Sequence, residues 1–113
     1  MILDELKELF ISLGLPSHVG VFLATLKPSA YVVLTPLIDD YPLYGDDKPV
    51  IETQDVRLSL FDKENYQKSK NEIIASLVDA DFTIRGRRYV GYEHNTQYHH
   101  YAIDVAKYYP TNF

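Results

Sequence analysis

Apolar positions recur every three or four residues at the start of the chain, and charged residues fill the positions between them. This spacing predicts an amphipathic helix with acids in its first turn, where the helix dipole favours carboxylates. Gly14 and Pro16 predict its end, because glycine favours the position after a helix and proline cannot continue one. The apolar stripe of this helix consists of Leu3, Leu6, Leu9, Phe10 and Leu13.

Three segments with strand-like patterns follow the helix. Residues 19–26 alternate apolar and small side chains, which predicts a strand. Residues 31–37, YVVLTPL, are apolar on both alternations and predict an interior strand that ends near Pro36, whose nitrogen cannot donate a ladder hydrogen bond. Residues 50–61 predict a half-buried strand, with Val56, Leu58 and Leu60 on one face and Asp55, Arg57 and Ser59 on the other.

A second helix and a hairpin complete the pattern. Asp62 is the expected N-cap of a helix that begins near Lys63 and closes at residues 80–81. Residues 82–92 and 97–109 predict two strands joined by a short polar turn. The apolar stripe of the second helix is expected to contain Tyr66, Ile73, Ile74, Leu77 and Val78.

Together these elements predict one α+β domain over residues 1–113. A chain of 113 residues is long enough to bury a single core. The expected fold is a mainly antiparallel β-sheet with two α-helices packed against it, in the order α-β-β-β-α-β-β.

Residues 38–49, IDDYPLYGDDKP, predict a long loop, because aspartates, prolines and a glycine crowd into it. The spacing of its four aspartates does not match an EF-hand, so a solvated or partner-contacting loop is the expectation. Its candidate contact residues are Asp39, Asp40, Tyr41, Tyr44, Asp46 and Asp47.

The histidine-rich segment 94–101, HNTQYHHY, raises the question of a metal site. On a strand His99 and His100 point to opposite faces, and a closed site needs more ligands than this hairpin offers. We expect no metal, no cofactor and no catalytic residues, since cysteine is absent and neither the serines nor the glycines form a known catalytic or phosphate-binding motif. A small metal-dependent enzyme using His94, His99 and Asp104 is kept as the alternative from another class.

Charge and composition bear on the partners. The net charge of −5 argues against a nucleic acid partner, and no stretch is long enough to cross a membrane. The one basic run contains Arg85, Arg87 and Arg88, which either dock an acidic partner, such as residues 39–47 of a neighbouring copy, or pair with Asp104 or Glu93. The ten tyrosines indicate either β-strands alone or an interface.

Two stretches carry a resemblance to a known family: DVRLSLFDKENY at residues 55–66 and RRYVGYEHNTQYHHYAIDVAKYY at residues 87–109. They resemble small structural proteins encoded in the head-to-tail gene region of prophages from Gram-positive bacteria. The order of elements is similar to that of the tail terminator and tail-completion family of long-tailed phages. The resemblance covers most of the chain from about Tyr31 onward.

The resemblance implies a non-enzymatic role in virion assembly. Proteins of this family form a ring, commonly hexameric, that caps the tail tube and offers a surface to the completed head. It implies a homo-oligomer whose partners are the tail tube protein and a head-completion protein, located in the virion tail or neck and, during assembly, in the host cytoplasm. A head-completion or stopper protein of the neck is the alternative within the same class.

Overall fold

The computed structural model describes residues 1–20, 28–45 and 48–111; for residues 38–44 and 48–50 the description covers the backbone only. The elements are α1 (Ile2–Leu13), β1 (Ser17–Val19), β2 (Ala30–Gly45), β3 (Lys48–Asp62), α2 (Tyr66–Asp79), β4 (Thr83–Glu93) and β5 (Tyr98–Pro110). The sheet has the order β1-β2-β3-β5-β4, with β1 parallel to β2 and every other pair antiparallel. The predicted α+β fold and its element order are therefore confirmed.

Helix α1 forms where the apolar spacing predicts it. Its core-facing residues, Ile2, Leu6 and Phe10, are buried against the sheet. Gly14 ends the helix in the left-handed region, with φ of 71°, and its N–H donates to the carbonyl of Ile11. At the other end the side chain of Gln54 on β3 accepts the N–H of Ile2 at 3.0 Å, which ties the start of α1 to the sheet.

Both helices pack on the same face of the sheet, which we call the helix face. Alternate residues of the central strands point to it and form one core with the helices. The predicted core face of residues 50–61 is confirmed, because Val56, Leu58 and Leu60 are all buried. The remaining buried members of the core are Ile2, Leu6, Phe10, Val32, Leu34, Ile73, Leu77, Phe82, Tyr101, Ile103 and Val105.

The predicted loop at residues 38–49 is wrong wherever the backbone is described. β2 continues to Gly45 and β3 begins at Lys48, and the two strands pair throughout, with register shifts near Pro36 and Leu43. Pro42 fits on β2 because β1 pairs only with residues 32–34, so no described strand pairs with the outer edge of β2 at this level. Residues 46–47 lie outside the described residues.

The sheet narrows toward this end of the molecule. β4 reaches only to the level of Asp55, and the last residue of β5, Pro110, lies opposite Ile51. Beyond that level the described chain continues as two strands alone, which we call the hairpin arm, residues 43–45 and 48–50. The molecule is elongated, with extents of 54 × 26 × 24 Å. Most of the strand predicted at residues 19–26 lies outside the described residues. Of its described part, Val19 is the last residue of β1.

The start of α2 also differs from its prediction. The N-cap is Asn65, whose side chain accepts the N–H of Lys68 at 3.1 Å, and the helix begins at Tyr66. Asp62 is the last residue of β3 and is buried; its carboxylate accepts the Glu64 N–H and the Ser69 hydroxyl, at 2.8 and 2.7 Å. Asp62 therefore fixes the strand-to-helix turn rather than capping the helix. Val78, predicted on the apolar stripe, is 57% exposed.

Replacing Phe10 with alanine tests the packing of α1 on the sheet. Phe10 is fully buried, so its loss should lower the free energy of unfolding by roughly 3–5 kcal/mol. The neighbouring Ile11 is 76% exposed, and Ile11→Ala should stay within about 0.5 kcal/mol of the parent. Urea unfolding measures both; equal effects of the two substitutions would contradict the placement of this helix.

Candidate functional site

The arginine run of the sequence lies on β4, an edge strand with a β-bulge at Arg85. Ile84 pairs with Val105 and Gly86 with Asp104, so Arg85 is the extra residue between them. Arg87 lies opposite Ile103, which belongs to the core, whereas Arg88 lies opposite Ala102 on the other side of the sheet. Arg87 therefore points to the helix side and Arg88 to the face without helices, which we call the open face.

Arg85 also lies on the open face. Its Nε is 3.2 Å from Oδ2 of Asp55 on β3, although β5 runs between β4 and β3. The side chain of Arg85 crosses β5 at Ala106, which lies opposite Asp55. Ala106 is fully buried, although no described helix or strand packs on this face. A long arginine side chain over a small residue thus shields the sheet where a second layer would otherwise be needed.

The strongest polar contact of the open face joins Arg57 and Asp104. The two residues are directly opposite each other on β3 and β5, and the guanidinium donates to both carboxylate oxygens, at 2.8 and 3.1 Å. This hydrogen bonding lowers the pKa of Asp104 below its usual value, against the opposing effect of burial, and the charge of Arg88 lowers it further. In return Asp104 raises the pKa of Arg57.

The pairings proposed from the sequence for the arginine run are therefore wrong. Asp104 is held by Arg57 rather than by an arginine of the run, and Arg85 pairs with Asp55. Glu93 instead accepts the hydroxyl of Thr96 at 3.3 Å. The polar face predicted for residues 50–61 did contain both missing partners, Asp55 and Arg57.

The third arginine of the run, Arg88, lies beside a small depression in the open face. The depression measures about 130 Å³ and is lined by Arg57, Gly86, Arg87, Arg88, Ala102 and Asp104. Among the described side chains Arg88 has no hydrogen-bond or ion-pair partner. With Arg57 and Asp104 neutralising each other, the depression carries one net positive charge.

The open face ends in an aromatic cluster next to the depression. Phe61 lies between Tyr31 and His100, with ring centroids 4.9 and 4.3 Å away, and Tyr98 meets Tyr31 edge-on. The Tyr98 hydroxyl donates to the carbonyl of Pro28. Burial lowers the pKa of His100, and nearby Arg88 acts in the same direction while Glu93 opposes it.

His99 lies on the helix face, opposite in direction to His100, as the alternation predicts. It packs among Tyr66, Tyr89 and Tyr92, and its Nδ1 is 2.9 Å from the Tyr89 hydroxyl. A metal site made of His94, His99 and Asp104 would need His99 and Asp104 on one face, and they lie on opposite faces. Within the described ranges, no group of three or more His, Asp or Glu side chains is placed to share an ion.

The structure does not bring the two predicted contact segments of one chain together. Strand β2 includes four of the predicted contact residues, Asp39, Asp40, Tyr41 and Tyr44. The other two, Asp46 and Asp47, lie outside the described residues. β3 and β5 separate β2 from β4 and its arginines, which places the two strands roughly 14 Å apart. A contact between these segments must therefore come from a second chain.

Asp104→Asn tests the Arg57–Asp104 pair through its dependence on pH. The pKa of Asp104 is lowered in the folded state, so the pair stabilises the fold at pH values above about 4, the usual value for an unfolded aspartate. This contribution is lost as the pH falls through the lower, folded-state pKa. Asp104→Asn should therefore destabilise the protein at neutral pH, with a difference from the parent that shrinks in acid.

Urea unfolding at several pH values measures this difference. Glu72→Gln is the matched control, because Glu72 is an exposed carboxylate of α2. A difference between parent and Asp104→Asn that stays constant from neutral to acidic pH would contradict the assignment.

Among the helices that the structure describes, none is long and apolar enough to span a membrane. A comparison with protein-family models finds no match for this chain, and a comparison with curated proteins finds none either. The resemblance to tail terminator and tail-completion proteins therefore stays a prediction.

Proposed function

We propose that this protein is a structural subunit of a phage tail, which assembles into a ring that caps the tail tube and forms part of the head-tail junction. The proposal starts from the resemblance of residues 55–66 and 87–109 to that family. In the structure these residues form most of β3, β4 and β5 and the turn into α2. They supply much of the open face, including Asp55, Arg57 and Asp104 of its ion pairs, so the resemblance falls on a surface that is available for contact.

The observation that best supports an assembling subunit is the hairpin arm. A two-stranded hairpin is only marginally stable in water unless another surface supports it. Here β2 and β3 continue beyond β5, and no third strand of the described chain pairs with that extension. A segment of this kind gains stability when a neighbouring subunit or the tail tube covers it.

Exposed aromatic and aliphatic residues on β4 support the same function. Tyr89, Val90 and Tyr92 are each more than 40% exposed on this edge strand. Tyrosine combines an apolar ring with a polar tip and is enriched at protein interfaces. In the proposed ring this strand faces a neighbouring subunit, the tail tube protein or the head-completion protein, within the virion tail or neck.

Deletion of this gene from the phage that carries it tests the proposed function. Electron microscopy of the lysate should show filled heads beside unattached tails of uncontrolled length, because nothing then stops growth of the tube. Supply of the intact gene from a plasmid should restore normal virions and is the control.

Two other outcomes of the gene deletion would contradict the proposed role in capping the tail tube. Tails of normal length beside leaking or unjoined heads would assign the protein to head completion, the neighbouring role in the neck. Intact virions in the deletion lysate would rule out both roles.

A further inference from the structure

The depression beside Arg88 has the size and charge to receive a carboxylate. It is about 130 Å³, and the guanidinium of Arg88 borders it without a partner among the described side chains. Arg57 lines the same space and uses only Nε and one terminal nitrogen for Asp104, so it keeps further N–H groups. Two guanidinium groups and one carboxylate leave a net positive charge, which favours a second carboxylate.

The bulge at Arg85 determines which arginine is available. Arg85 lies on the same face but is already paired with Asp55, and Arg87 points to the other side of the sheet. Arg88 is therefore the member of the run that combines an unpaired guanidinium with a place on the open face.

An acidic segment that complements this charge exists in the same sequence. The strand β2 carries Asp39 and Asp40 and leads into the hairpin arm, which extends beyond the body of the protein. Within one chain this segment is separated from Arg88 by β3 and β5. A second copy of the chain can bring its own β2 segment to the depression, and opposite charge on the two surfaces favours that encounter.

We propose that the depression formed by Arg57, Arg88 and Asp104 is a receptor for the acidic β2 segment, residues 39–40, of a second copy of this chain. The receptor and the segment are different surfaces, so the contact is head-to-tail and can repeat until a ring closes. The inference deepens the proposed function, because a capping ring requires a contact of this kind between subunits.

Charge reversal at Arg88 tests the receptor. In sedimentation velocity the parent chain should associate as its concentration rises, and Arg88→Glu should weaken this association by roughly 10- to 100-fold, the loss expected for charge-assisted hydrogen bonds. Lys68→Glu is the matched control, since it makes the same charge change at an exposed residue of α2, on the helix side of the sheet. It should leave association close to that of the parent.

A complementation experiment identifies the occupant. Asp39→Asn/Asp40→Asn removes the charge of the acidic segment while keeping the receptor, so this variant alone should stay monomeric, as should Arg88→Glu alone. A mixture of the two variants retains one intact receptor and one intact segment, and it should form dimers that do not grow further. Circular dichroism checks that each variant is folded, and Arg88→Gln replaces Arg88→Glu if the added charge beside Asp104 prevents folding.

Three results would overturn the inference: a parent chain that stays monomeric at every concentration, equal association of Lys68→Glu and Arg88→Glu, or a mixture without dimers. None of these depends on the tail phenotype. Loss of tail length control on gene deletion together with any of the three would keep the proposed function and remove this contact. Specific dimers in the mixture together with intact virions in the deletion lysate would keep this contact and remove the proposed function.

Discussion

One face of the sheet has no helix over it in the described part of the chain, and the side chains of that face must shield the strands themselves. This shielding depends on the small residues of β5. Ala102 and Ala106 occupy open-face positions on this strand, and both are buried. Arg85 reaches over Ala106 to Asp55, and Arg57 binds Asp104 beside Ala102. Larger side chains at the two alanines would leave no room for these arginines to lie along the sheet.

The β-bulge in β4 makes this arrangement possible. In a regular strand Arg85 and Arg88 would point to opposite faces, because they are three positions apart. The extra residue at Arg85 brings both onto the open face and leaves Arg87 on the helix side. Bulges commonly redirect a side chain at a sheet edge in this way. The order β3-β5-β4 then sets the distance that Arg85 must cross to reach Asp55.

Sequence periodicity predicted those parts of the fold in which each element has one apolar face. The stripe of α1, the alternation of residues 50–61 and the opposite directions of His99 and His100 all follow from that rule. The hairpin arm could not be predicted in this way, because prolines and aspartates indicate a turn while pairing with β3 keeps the chain extended. The partners of Asp104 and Arg85 also could not be predicted from the sequence, because they depend on the strand order and on the bulge.

The distribution of charge also determines which contacts between copies are favourable. The two ion pairs neutralise Arg57 and Arg85, so the unpaired charge near the middle of β4 comes from Arg87 and Arg88. Two β4 edges that met across a two-fold axis would bring these arginines close together, and the bulges at Arg85 and Val90 would further disturb their pairing. An acidic segment meets no such repulsion. The edge strand therefore disfavours a closed two-fold dimer and favours a head-to-tail contact with a surface of opposite charge.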